Sequence, residues 1–199
     1  MAAYSYYMGN YYDDAKFELN NYLKKYPNNE NISYAYFLLG MCYYEEIVDE
    51  RKDLKPLIEA KKIFDKLIKE YPDTDFAVDA QFKNELIEDI LASKEIYLGK
   101  IYQKKGKWIP AINRYKKVVD DYETTIYVEE ALHRLVEIYY KLGLVDESKK
   151  YAKLLGYNYQ SGKWYKESYR VFNKKYESKS SKIKKEKNFI IKKFQSLFN

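Results

Sequence analysis

The stretch Tyr36-Phe37-Leu38-Leu39-Gly40-Met41-Cys42-Tyr43 contains the clearest example of a spacing that recurs along this chain. Its spacing, an apolar residue followed by a small one and then by an aromatic one three positions later, returns at Leu98-Gly99-x-x-Tyr102. It returns once more at Leu135-Val136-x-x-Tyr139, with valine in the place of glycine. A pattern that recurs along a chain predicts an array of similar structural units.

Each of these motifs is followed by a second small residue, namely Ala60, Ala111 or Ser148. The separation is 12 residues both from Gly99 to Ala111 and from Val136 to Ser148. Small residues at paired positions let two helices approach closely, as in the tetratricopeptide (TPR) helix–turn–helix repeat of about 34 residues. We therefore predict an all-α fold, a TPR-like α-solenoid of stacked helix pairs. The alternative is an ordinary helical bundle with heptad-like apolar spacing.

Prolines and an insertion mark the limits of the repeats. Pro27 and Pro72 end predicted second helices, because proline cannot continue a helix and disfavours helical backbone in the residue before it. Extra residues at 46–55 predict a loop inside the second repeat, and residues 76–105 read as one long helix. We predict a repeat array over residues 1–165, with four to five repeats of which the first is truncated.

The composition excludes several classes of protein. With 7 Gly and 4 Pro in 199 residues, the chain lacks the turn residues that an all-β fold needs. A single Cys and a single His leave no internal disulfide and none of the usual zinc clusters. No glycine-rich phosphate loop or local nucleophile–base motif occurs. We predict that the chain is not an enzyme and uses no metal ion or cofactor.

The end of the chain is basic. Residues 166–199 carry 11 Lys or Arg against 3 acidic residues, a net charge of +8, which leaves −2 for residues 1–165. We predict that this segment is an amphipathic C-terminal helix or tail. It could cap the last repeat, contact a partner subunit or lie at an anionic lipid surface, and the alternative is a solvated tail without a contact role. Nucleic acid is disfavoured, because the apolar residues fit one helix face. Those residues are Ile183, Ile190, Ile191, Phe194, Leu197 and Phe198.

Several longer stretches follow one another in a specific order: Ala35-Tyr36-Phe37-Leu38-Leu39-Gly40, then Glu70-Tyr71-Pro72-Asp73-Thr74, then Ala111-Ile112-Asn113-Arg114-Tyr115, then Val128-Glu129-Glu130-Ala131-Leu132. With the insertion after the first of them, this order resembles the BamD family, the TPR lipoproteins of the bacterial outer-membrane β-barrel assembly machinery. The resemblance covers residues 10–165. It implies a non-catalytic scaffold at the periplasmic face of the outer membrane.

The same resemblance implies the partners. They are the POTRA domain of a BamA-like barrel-forming subunit, other assembly lipoproteins and unfolded outer-membrane proteins, with no nucleic acid. The signal and lipid-modified Cys of the family are not visible here, since Met1 falls within the first expected helix and Cys42 lies in the middle of a helix. We interpret this as a start placed too far downstream or as a fragment. The alternative function is a generic TPR adaptor unrelated to barrel assembly.

One stretch predicts a peptide-binding groove. From Tyr34 to Tyr44 no residue is charged, and such an apolar helix is normally buried on all sides, whereas a TPR groove is open. The prediction is an aromatic trough for substrate peptides. The alternative is additional aromatic packing. The predicted trough residues are Tyr4, Tyr7, Tyr34, Phe37, Met41 and Tyr44.

A second candidate is the pair Asn113 and Arg114. The resemblance implies that Arg114 contacts an acidic residue of the POTRA domain, which a planar guanidinium suits better than an ammonium. The alternative is a surface ion pair with Asp121 or a nearby Glu, of little energetic value. Trp108 occupies a repeat position that favours a core role over a ligand role.

Overall fold

The computed structural model describes residues 2–46, 53–160 and 162–173, and these residues form nine helices. Their bounds are α1 Ala2–Met8, α2 Tyr12–Lys25, α3 Ile32–Glu45, α4 Lys55–Glu70, α5 Asp75–Lys104, α6 Trp108–Asp121, α7 Val128–Lys141, α8 Val145–Asn158 and α9 Lys163–Phe172. All regular structure in this described part is helical, and consecutive helices pack together from α1 to α4 and from α6 to α9. The predicted all-α, TPR-like solenoid is confirmed.

The described residues divide into two compact units. Unit 1 contains α1 to α4, residues 75–98 of α5 and the segment 122–127; within it, α2 packs on α1 and on α3, and α3 packs on α4. Unit 2 contains residues 99–104 of α5 together with α6 to α9. Here α7 packs against α6, α8 and α9. Each unit thus consists of helix pairs that cover one another's apolar faces.

The ends of several helices agree with those that the sequence predicts. Helix α2 ends at Lys25 and α4 ends at Glu70, each two residues before a proline. The long helix predicted over residues 76–105 is α5, which differs from the prediction by one residue at each end. Helix α9 spans residue 165, where the sequence predicts the end of the repeat array. Residues 47–52 of the predicted loop and 174–199 of the predicted tail lie outside the described residues.

Two turns depend on glycine. Gly106 (φ 70°) lies between α5 and α6, and Gly143 (φ 78°) lies between α7 and α8. Both adopt the left-handed conformation that a residue without a β-carbon takes up at no steric cost. Substituting either residue would strain the turn that joins two paired helices.

The close helix crossings lie where the sequence predicts them. A β-carbon on Gly40 would overlap the ring of Phe64, and one on Gly99 would overlap the ring of Tyr115. Both rings are fully buried. The aromatic ring one turn after the predicted small residue of the second helix therefore fills the space that glycine leaves, and close packing makes the two positions interdependent.

The crossing of α7 and α8 uses different side chains. Val136 replaces the glycine, and the fully buried Ser148 donates its hydroxyl to the Val136 carbonyl at 2.9 Å. One turn later the position of the aromatic ring holds Ala152. The larger residue on one helix thus coincides with a smaller one on the other, and a hydrogen bond ties the pair together.

Candidate functional site

The aromatic side chains of α3 make extensive contacts within unit 1. The ring of Phe37 packs against the rings of Phe64 and Phe76, with centroid separations of 5.9 and 5.8 Å. The ring of Tyr34 packs against Phe76 at 5.3 Å. Tilted ring pairs at such distances stabilise a core beyond the area they bury. Much of the aromatic surface of α3 is therefore occupied by its own unit.

Four of the six predicted trough residues lie in the core around Phe64 or pack against it. Met41 is buried in the unit 1 core, and Tyr7, Phe37 and Tyr44 pack against that core. The Lys83 ammonium lies 4.6 Å from the centroid of the Tyr44 ring. Burial, with a smaller contribution from nearby Glu45, raises the pKa of Tyr7, so its phenol stays neutral. The structure places these four residues, and Tyr34 with its contact to Phe76, where the alternative of aromatic packing expects them.

Tyr34, which packs against Phe76, also shares a second location with Tyr4. They line a pocket of about 590 Å³, which we call the N-terminal pocket. Tyr4 is 48% exposed and Tyr34 is half-buried. Burial, and secondarily the neighbouring Tyr4, raises the pKa of Tyr34, so its hydroxyl remains a hydrogen-bond donor. The other lining residues are Ala2, Ala3, Glu18, Leu19, Tyr22, Asn31, Ala35 and Leu38.

The predicted partner-binding pair lies on α6. Asn113 is exposed and Arg114 is half-buried. Neither residue lines the N-terminal pocket. A contact between Arg114 and a POTRA domain stays a prediction.

Unit 2 contains a larger pocket of about 740 Å³, which we call the α7 pocket. Trp108 lines it and is only half-buried, with the Lys141 ammonium 4.5 Å from its ring centroid. The α6 N-terminus places the indole at this pocket wall, and the choice between a core role and a ligand role for Trp108 stays a prediction. The remaining lining residues are Lys100, Gln103, Lys104, Arg134, Glu137, Ile138, Tyr140, Arg170 and Val171.

An ion-pair network forms one side of the α7 pocket. Arg134 donates to Glu137 at 2.8 Å and pairs with Glu130 at 3.2 Å, and Lys100 lies 2.8 Å from Glu130. Burial alone would lower the pKa of Arg134, but the two carboxylates outweigh it and raise that pKa. The guanidinium is therefore held charged and fixed in position by two acceptors.

Sequence reasoning did not find the buried polar cluster beside this network. His133 Nδ1 lies 2.8 Å from Ser168 Oγ, His133 Nε2 lies 3.5 Å from Glu137, and the imidazole packs on Trp164 with a centroid separation of 5.1 Å. Burial would raise the pKa of Glu137, but hydrogen bonding from His133 and the charge of Arg134 lower it to about 2. His133 and Ser168 are 35 residues apart, so no local motif could reveal the pair. At 4% and 3% exposure they are closed to a substrate and serve packing.

Among the described residues, neither a metal-binding cluster nor a membrane-spanning helix is found. In this part of the chain no three His, Cys, Asp or Glu side chains are grouped so that they could bind a metal ion. No described helix combines the length and the apolar character needed to cross a bilayer.

Comparison with known proteins gives consistent results. A family model described as YfiO, outer membrane lipoprotein, matches residues 1–155. The outer membrane protein assembly factor BamD of Rickettsia prowazekii is 43% identical over 171 residues, which cover 86% of this chain and 68% of that protein. BamD of Caulobacter vibrioides is 38% identical over 173 residues, and BamD of Neisseria meningitidis serogroup A is 30% identical over 151 residues.

These relatives are longer than the chain, which covers 57% of the Caulobacter protein and the same share of the Neisseria protein. The matched region nevertheless includes α1 to α7 and most of α8. The family match over residues 1–155 and the identity to the Rickettsia protein agree with the repeat pattern and with the order of the helices. The chain belongs to the YfiO/BamD family of outer-membrane protein assembly factors.

Proposed function

We propose that the chain is a non-catalytic scaffold of the outer-membrane β-barrel assembly complex, acting at the periplasmic face of the outer membrane. Its relatives are named outer membrane protein assembly factors, which supports a role in that process. In this proposal unit 1 receives unfolded outer-membrane proteins, and Arg114 on α6 binds the POTRA domain of the barrel-forming subunit. Other assembly lipoproteins bind the same scaffold.

The N-terminal pocket is the observation that supports substrate binding. In this pocket Tyr4 is about half exposed and lies beside Tyr34, whose hydroxyl stays neutral. Tyrosine offers an apolar face together with a hydrogen-bond donor, a combination that suits contacts with varied peptides. The volume of about 590 Å³ lies within the ~300–1,000 Å³ typical of ligand pockets. An aromatic side chain of an unfolded substrate fits this chemistry.

Site-specific photocrosslinking tests substrate binding. The photoreactive amino acid benzoylphenylalanine is placed at Tyr4 in one variant and at Tyr97 in a control variant. These tyrosines are 48% and 50% exposed and both belong to unit 1, so the two positions differ mainly in their location. We expect peptides from the C-terminal end of an unfolded barrel protein to crosslink at Tyr4 several times more strongly. Equal yields at both positions would contradict the proposal.

The proposed POTRA contact depends on the charge and planarity of Arg114. Replacing arginine by glutamate at an interface with a carboxylate adds repulsion and leaves the partner's charge unpaired. The Arg114→Glu variant should bind the purified POTRA domain at least tenfold more weakly, and Arg114→Lys should bind with intermediate affinity, because an ammonium cannot make the two parallel hydrogen bonds.

The matched control for this measurement is Lys153→Glu, which makes the same change of charge at an exposed position of α8. Binding is measured by titration calorimetry with the full chain. Equal losses for Arg114→Glu and Lys153→Glu would mean that net charge, and not the Arg114 contact, governs the association.

A further inference from the structure

The α7 pocket is lined mainly by hydrogen-bond donors. Five cationic side chains line it, against the single carboxylate of Glu137. Gln103 adds a donor, because its amide oxygen accepts the hydroxyl of the buried Tyr115 at 2.8 Å and its NH₂ group remains for the pocket. A pocket that offers donors and positive charge selects a ligand that offers acceptors and negative charge. The five cations are Lys100, Lys104, Arg134, Lys141 and Arg170.

The cations of the pocket differ in what they already bind. Arg134 and Lys100 pair with carboxylates of α7, and Arg170 pairs with Glu167 at 2.6 Å. Within the described residues, Lys104 and Lys141 have no carboxylate partner, and Lys141 lies over the Trp108 ring. The network therefore fixes the wall of the pocket, while two lysines are left to bind an external anion.

The pocket also has an apolar part. Trp108 comes from the start of α6, Ile138 and Tyr140 from α7, and Val171 from α9. Tyr140 is positioned by an edge-to-face contact with Phe172, with a centroid separation of 5.4 Å. The volume of about 740 Å³ is large enough for a few side chains. Such a surface suits a ligand that carries apolar side chains between its charges.

We propose that the α7 pocket is a second peptide-binding site, which binds an acidic segment of a protein partner in which carboxylates alternate with an apolar side chain. The carboxylates pair with Lys104 and Lys141, and the apolar side chain packs on Trp108. A nucleic acid fits less well, because the two lysines that lack a carboxylate partner among the described residues neutralise few phosphates. This site is independent of the N-terminal pocket and of the Arg114 contact.

The test uses a fluorescent eight-residue peptide of alternating glutamate and phenylalanine, with both ends blocked, and the full chain. Fluorescence anisotropy gives its affinity and that of a matched peptide with glutamine in place of glutamate. We expect the glutamine peptide to bind at least tenfold more weakly. A single-stranded oligonucleotide of the same length serves as competitor. If the oligonucleotide displaces the labelled peptide at a lower concentration than the unlabelled peptide does, the proposal is overturned.

The basic C-terminal segment could also attract an acidic peptide, and charge-matched variants separate the two possibilities. The variant Lys104→Gln/Lys141→Gln removes two charges from the pocket, and Lys184→Gln/Lys185→Gln removes two from residues 166–199. The pocket variant should weaken binding at least tenfold and the tail variant less than twofold. Equal losses, or a larger loss in the tail variant, would overturn the proposal.

A second variant guards against a loss of folding. Gln103→Glu retains an oxygen for the Tyr115 hydroxyl and places a negative charge in the pocket. It should weaken binding of the glutamate peptide, with the thermal midpoint close to that of the unmodified chain. Trp108→Leu should weaken binding of the phenylalanine-containing peptide more than that of an alanine-containing one. Unchanged affinity in both variants would show that the peptide does not enter this pocket.

Discussion

Helices α3 and α7 hold the same place in their repeats but have opposite surface chemistry. Helix α3 has no charged residue from Tyr34 to Tyr44, and rings of its own unit cover most of it. Helix α7 buries an apolar face and directs charged side chains, Arg134 and Glu137 among them, to a pocket. The repeat therefore constrains only the face at the helix crossing. The other faces pack into the core in unit 1 and line a charged pocket in unit 2.

The largest effect is expected at the crossing of α3 and α4. Gly40→Val places a branched side chain against the ring of the buried Phe64, and the loss should be about 3 kcal/mol, at the upper end of the range for overpacked cores. The measurement is urea denaturation followed by circular dichroism. The double variant Gly40→Val/Phe64→Ala reproduces the pair Val136 and Ala152 of the fourth repeat. The double variant should lose less free energy of unfolding than the two single variants lose together. A loss equal to that sum would contradict the interdependence of these positions.

The charged network of α7 comes next. Arg134→Met leaves Glu130 and Glu137 partly buried without their shared cation, so the free energy of unfolding should fall by about 2–3 kcal/mol. Arg134→Lys keeps the charge but not the forked geometry and should recover part of the loss. Denaturation by urea at neutral pH measures both. Equal stability of the Met variant and the original chain would mean that the network contributes specificity alone.

The pH dependence of stability tests the same network through the ionisation of its carboxylate Glu137. Because the pKa of Glu137 is about 2 in the folded chain and ordinarily about 4.5, its stabilisation is fully present above pH 4.5 and is lost as pH falls toward 2. The loss should be about 1–2 kcal/mol after allowance for solvent screening. Glu137→Gln should flatten the profile between pH 5 and pH 2, whereas the surface control Glu59→Gln should not.

The smallest effect is expected at the surface of unit 1. Lys62 and Glu59 form an exposed ion pair on α4 with a separation of 2.7 Å. Lys62→Ala should change the free energy of unfolding by less than about 0.5 kcal/mol, since solvent and side-chain entropy offset an exposed pair. A change above 1 kcal/mol in urea denaturation would remove the contrast between this pair and the network of Arg134.

Several features of the fold could be predicted because they depend on local sequence. The long helix α5 follows from helical spacing without proline, and the ends of α2 and α4 follow from the prolines two residues later. The glycine crossings follow from a spacing repeated along the chain. What the spacing did not reveal is that Phe64 and Tyr115, and not the small residues alone, fill those crossings.

The candidate sites were less predictable. An apolar stripe on α3 does not show which of its rings another helix will cover, and only Tyr4 and Tyr34 of the predicted six line the N-terminal pocket. Trp108 lies at a pocket wall because α6 begins there beside α7. The pairing of His133 with Ser168 joins α7 to α9 and has no local signature.

Local sequence is enough to predict that the chain is a helical repeat, where its helix pairs cross closely and which family it resembles. These properties depend on residues a few positions apart, since helix periodicity, helix ends and small crossing residues act over one or two turns. Which aromatic rings are covered and which cations meet around one pocket depends on how the helices pack. The α7 pocket takes side chains from α5, α6, α7 and α9, and such a surface exists only once separate helices have packed together.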